Sequence, residues 1–156
     1  MTALHFAASE GRLKIVELLL DNGANKEAMT KMKRTPLHVA ALKGNTSIVK
    51  LLVERGANIN ALEAEFNTPL HYASMHGFTE IVKIVLQAKP DISRKNHEGL
   101  TAIDVALNLE TRKVFESMGL INDATVNSFG RTSVEEFLIY NGRADFVGKL
   151  LHMKDI

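Results

Sequence analysis

The amino-acid sequence predicts an all-α solenoid: stacked antiparallel helix pairs joined by β-hairpin-like loops. Three observations predict it. TPLHVAALKG, beginning at Thr35, has counterparts TALHFAASEG at Thr2, TPLHYASMHG at Thr68 and TAIDVALNLE at Thr101, with 33 residues between successive copies. The segments IVELLLDNGANKEA, IVKLLVERGANINA and IVKIVLQAKPDISR follow the first three copies at a common offset. Within a unit the apolar residues form two runs of helical register, punctuated by glycine. One such unit has too little core to fold alone, so its stability must come from stacking on its neighbours.

The second unit justifies the elements in order. Thr35 suits an N-cap, and Pro36 suits the first helical position, where no N–H donor is needed. Leu37, Ala40 and Ala41 then share one face, and Gly44 can take the left-handed geometry that stops the helix. Asn45 or Thr46 can cap a second helix, which carries Ile48, Val49, Leu51 and Leu52 inward and stops at Gly56. A connection of a few residues makes the two helices antiparallel. The stretch from Asn58 to Asn67 reads as an extended hairpin leading into the next unit. The first helix is narrow and Ala-rich and the second is broad and aliphatic. Stacked wedges of this shape curve the array, with hairpins and first helices on the concave side.

The expected repeats span residues 1–28, 29–61, 62–94 and 95–127, with a degenerate closing repeat at 128–156. The fifth copy starts at Thr132, carries Phe137–Leu138 in place of the small pair Ala40–Ala41, and offers Phe146, Val147, Leu150 and Leu151 as its second-helix core. Two irregularities carry expectations. Lys89 stands where Gly23 and Gly56 end their helices, and Pro90 after it should push Lys89 towards extended backbone. Gly119 follows Thr101 by 18 residues, whereas Gly56 follows Thr35 by 21, so the fourth unit's second helix should be about one turn shorter. The chain also opens directly at a first helix, without a preceding hairpin or a polar capping repeat, so further repeats upstream are expected.

A 33-residue period built on T-P-L-H-x-A is the established signature of the ankyrin repeat, and the sequence resembles that family over almost its whole length. The resemblance implies a non-catalytic protein–protein interaction module acting as scaffold, adaptor, inhibitor or targeting domain. The alternative it implies is a regulatory domain of a larger enzyme or channel whose catalytic or pore part lies outside this chain.

Composition and motifs agree with a binding role. With 19 Lys+Arg against 18 Asp+Glu, the net charge of +1 gives no global reason to expect nucleic acid or an anionic membrane as partner. The absence of cysteine excludes disulfides, thiolate nucleophiles and Cys-based zinc sites, and it fits a reducing compartment. No apolar run approaches the length of a membrane span, and the first residues carry charges where a signal peptide needs an apolar segment. The expected location is intracellular, cytoplasm before nucleus, and the expected chain is a monomer without cofactor or metal. His5, His38 and His71 are equivalent positions, and helices stacked ~8–10 Å apart cannot bring such side chains onto one ion. The resemblance gives them a structural role, bonding the threonine and the next loop. Ser74 replaces a small core alanine and has no evident orienting acid. Glu63/Glu65 and Glu135/Glu136 read as solvated surface, and no phosphate-binding glycine motif occurs. An enzyme is not expected.

In ankyrin proteins partners dock on hairpin tips and on the exposed face of the first helices. Carried over by position, the second repeat offers Met29, Lys31, Met32, Arg34, Leu42 and Lys43. The third offers Leu62, Glu65, Phe66, Asn67, Met75 and His76, and the fourth offers His97 and Leu109. Met29, Met32, Leu42, Leu62 and Met75 are apolar where a purely structural surface could be polar, and methionine suits adaptable contacts. The hairpin around KMKR is basic, and the next carries Glu63 and Glu65. KMKR is too short to argue for nucleic acid; the charges read first as ordinary solvated hairpin tips, and the functional reading beside it is a banded surface that orients a partner with opposite bands.

Overall fold

The computed structural model describes residues 1–120. They hold seven helices and no strands: α1 (Ala3–Glu10), α2 (Leu13–Asp21), α3 (Pro36–Lys43), α4 (Thr46–Glu54), α5 (Pro69–Met75), α6 (Thr79–Gln87) and α7 (Leu109–Ser117). α1, α3 and α5 stack as one layer, and α2, α4, α6 and α7 as the other. The core is the seam between the layers, where Leu37, Ala40, Ala41, Ile48, Val49 and Leu52 are all buried. Leu51 is only half-buried, so the inward face of α4 is narrower than its apolar content implies. The expectations that concern the closing repeat, Glu135/Glu136 among them, lie outside the described residues.

Each first helix starts the same way. The hydroxyls of Thr2, Thr35 and Thr68 accept from the backbone N–H groups of His5, His38 and His71 at 3.3, 3.3 and 3.2 Å. The imidazole Nδ1 atoms accept in return from the threonine N–H groups, so histidine takes the place that Glu or Gln holds in the usual capping box. At the other end Gly44 has φ 74°, and a Cβ there would lie 2.9 Å from Cζ of Phe78. Backbone conformation and the aromatic ring of the next repeat therefore both require glycine.

Of the second helices, α2, α4 and α6 begin without a side-chain cap, whereas Asn108 Oδ1 caps α7 by accepting from Thr111 N at 2.8 Å. Asn45 occupies the N-cap position of α4, but its amide instead donates to the carbonyls of Ala8 and Ser9 in the preceding repeat. Those carbonyls belong to the open end of α1, so one asparagine closes the neighbour's helix instead of starting its own.

Two expectations are corrected. Lys89 does not become extended: it has φ 56° and donates to Leu86 O at 3.0 Å, as Gly23 and Gly56 do to Leu20 and Val53. What Pro90 removes is the next bond, the one that Ala24 and Ala57 make to Leu19 and Leu52, because proline has no N–H. In the fourth repeat the first helix is lost and the second is whole. α7 has nine residues, like α2, α4 and α6, while residues 102–105 form a single turn. Asp104 Oδ2 still accepts from Thr101 N at 2.9 Å, but no helix follows. Arg112, at the position of the core valines Val49 and Val82, is buried and donates from Nη1 to Ile103 O at 2.9 Å. That carbonyl also accepts from Ala106 N at 3.2 Å, so Arg112 braces the single turn that stands in place of the first helix.

Candidate partner-binding surface

Hairpin tips and first helices form one continuous face. In the tip of the second repeat Lys33 N donates to Thr30 O at 2.9 Å and Thr30 N to Arg34 O at 3.0 Å. The same pair of bonds recurs from Phe66 to Glu63 with Glu63 to Asn67, and from Gly99 to Asn96 with Asn96 to Leu100. Adjacent tips are joined by Ala64 N to Met32 O at 2.9 Å and His97 N to Glu65 O at 2.8 Å. Lys33 and Phe66 adopt φ 60° and 63° at the position where Gly99 has 79°. Left-handed backbone is costly for residues with a Cβ, so these two tips are held by their bonds and not by local preference.

The histidines stand behind this face. Nε2 of His5, His38 and His71 donates to the carbonyls of Arg34, Asn67 and Leu100 at 2.8, 2.9 and 2.9 Å, always 29 residues on. Nδ1 accepts and Nε2 donates, so the bonding pattern fits the neutral ring. Burial also pushes His38 and His71 below the ordinary imidazole range, against a smaller opposing effect of the same carbonyl bonds. Both ring nitrogens are thus committed to joining one repeat to the next.

The structure distributes the sequence-predicted residues unevenly. Met29 and Phe66 are well exposed, at 63% and 51%, and Lys31, Met32, Lys43, Glu65, His76 and His97 are exposed too. Leu42, Leu62 and Met75 are half-buried, and His76 stacks on Phe78 with ring centroids 5.7 Å apart. Asn67 is a correction: at 8% exposure it is buried, donating to Glu63 Oε1 and accepting from Asn96 Nδ2. Glu63 is another, at 2% exposure, with Oε1 accepting from the N–H groups of Glu65 and Asn67 at 2.8 and 2.9 Å. Its carboxylate caps the hairpin, as Thr30 and Asn96 cap theirs, so it is not solvated surface. Leu109 is a third correction: it is exposed but opens α7, so it lies on a second helix.

Arg34 is half-buried and structural in part. Its Nε donates to the Tyr72 hydroxyl at 3.1 Å, and its guanidinium lies 5.6 Å from that ring's centre. Tyr72 in turn presents its ring to His38, edge to face, at 5.9 Å, and burial raises its phenol above the ordinary range. Tyr72 and Val39 fall outside the sequence expectation. Both fill the variable x of T-P-L-H-x-A, occupied by Phe6, Val39, Tyr72 and Val105, and this variation was the available signal.

Two hollows open on the face. One of about 480 Å³ is lined by Ser9, Lys31, Met32, Val39, Leu42 and Lys43 among others. Another of about 290 Å³ lies between Glu65, Met75, Asn96, His97, Glu98 and Val105. Comparison with known families now decides what this scaffold is. Residues 1–63 match the model described as ankyrin repeats in three copies, and residues 65–97 match that of a single ankyrin repeat. The chain belongs to the ankyrin-repeat family. No curated protein matches the sequence. Ankyrin-repeat domains are generally non-catalytic modules that bind other proteins. Among the described residues of this ankyrin-repeat chain, no helix is long and apolar enough to cross a membrane.

Proposed function

We propose that this ankyrin-repeat chain is a non-catalytic module that captures a partner protein on the face formed by its hairpin tips and first helices. It would act by itself as a monomer in the cytoplasm, as scaffold, adaptor, inhibitor or targeting domain, with no cofactor or metal. The observation that supports the reading is that large apolar side chains stand exposed among charges around two hollows of that face. Met29, Met32 and Phe66 are open to solvent, while Lys31, Lys43 and Glu65 surround the two hollows. Exposed apolar groups framed by charge are the usual composition of a protein contact.

The binding residues we assign are Met29, Lys31, Met32, Leu42 and Lys43 from the second repeat, with Leu62, Glu65, Phe66, Met75 and His76 from the third and His97 from the fourth. Catalysis finds no support in the groups that would perform it. His5, His38 and His71 spend both ring nitrogens on the backbone, and the Ser74 hydroxyl is sealed in the core without a hydrogen-bond partner among the described residues. The test is the double variant Leu42→Glu with Met75→Glu, used as bait in native extract beside the parent chain. Partner recovery should fall at least about tenfold while the melting temperature holds, and unchanged recovery would refute the assignment.

A further inference from the structure

We propose that the partner segment is extended and charge-banded: a large apolar side chain flanked by carboxylates, with a lysine or arginine five to six residues away. The proposal rests on the concave-face reading above and adds the chemistry of its occupant. The two hollows are the same place in the repeat, two repeats apart. Val39 and Val105 are equivalent, as are Lys31 and His97, Met32 and Glu98, and Ser9 and Met75, each pair separated by 66 residues. Between them the equivalent place is filled. Tyr72 stands where Val39 and Val105 stand, and Arg34 lies across its ring and bonds its hydroxyl. A small residue at the variable position thus leaves a socket and a large one builds a wall.

The sockets differ in charge. The first has an apolar floor of Val39, Leu42 and Met32, with Lys31 and Lys43 on its rim and no acidic residue in its lining among the described residues. Neither lysine forms an ion pair among the described residues. The second has the exposed carboxylate of Glu65 in its lining, beside His97, with no lysine or arginine among the described residues. Carboxylates therefore suit the first socket and cations the second, while the larger first socket takes the apolar side chain. Helices stacked ~8–10 Å apart place the sockets ~16–20 Å from each other, which an extended chain covers in about five to six residues at ~3.3 Å each.

The test uses two labelled synthetic peptides of about twelve residues and the full chain, read by fluorescence anisotropy. One carries leucine flanked by glutamates with lysines six residues on, and the other exchanges every glutamate and lysine. The first should bind at least about tenfold tighter, a preference that weakens with added salt and is largely lost in a Lys31→Glu, Lys43→Glu variant. Both lysines are exposed, so the variant should melt with the parent. Equal affinity, the opposite preference, or binding of neither peptide would overturn the proposal. If partner capture still depended on Leu42 and Met75 in that case, the concave face would stand and only the charge-banded occupant would fall. Loss of that dependence would instead remove the face itself.

Discussion

His38 shows how one residue links local structure to assembly. Its ring accepts from Thr35 N at 3.2 Å, starting α3, and donates to Asn67 O at 2.9 Å, tying that helix to the next repeat. The ring must stay neutral for this, and burial holds His38 and His71 below the ordinary imidazole value. In the unfolded chain both should titrate near ~6.5, so below that pH the unfolded state binds more protons than the folded one. Stability is therefore fully present above ~6.5 and is lost as pH falls towards the folded-state values. The urea midpoint should be lower at about pH 5.5 than at about pH 7.5, with the difference reduced in His38→Gln, His71→Gln. A midpoint that is flat or higher at the acid end would contradict the clasp. This role was legible in the sequence because the threonine and histidine always stand three apart. Glu63 was not, because Thr30 and Asn96 do its work elsewhere and nothing in the string EAEFN marks the first glutamate as the buried one.

At the scale of elements, repetition makes each helix readable and each departure from it ambiguous. Leu52 of α4 is fully buried and Leu51 only half so, although both continue one aliphatic run. Leu52→Ala should cost about 2–5 kcal/mol, through lost burial and the cavity left behind, and Leu51→Ala distinctly less. Urea unfolding of both variants checks this, and equal losses would show the inward face misassigned. The fourth repeat shows where reading by offset fails. Three missing residues between Thr101 and Gly119 could shorten either helix, and the distance alone does not choose. The structure sacrifices the first helix and keeps α7, which buries Val114 and Phe115 in the shared core. One signal was available: Thr101 has no glycine nine residues later, where Gly11, Gly44 and Gly77 end their first helices. Lys89 teaches the converse, since the bond to Leu86 holds it left-handed against the preference imposed by Pro90.

The described residues form a row of repeats whose variable motif position, held by Phe6, Val39, Tyr72 and Val105, belongs to the face of hairpin tips and first helices. Small residues keep the first helices close, with Ala8, Ala41 and Ser74 all buried, and the variable motif position lines the two hollows through Val39 and Val105. This explains why fold and clasp follow from the repeat, whereas the shape of the binding face does not. That shape depends on which of Val39, Tyr72 and Val105 is large, and on whether Arg34 reaches out or folds onto a ring. The central claim is that a partner sits on this concave side and not on the outer layer of second helices. Photo-crosslinking in native extract tests it directly, with a benzophenone side chain placed singly at Leu42 or Met75, and at the exposed outer positions Lys50 or Glu54. The account predicts a discrete protein adduct from Leu42 and Met75 and none from Lys50 or Glu54; adducts formed only at Lys50 or Glu54 would contradict it.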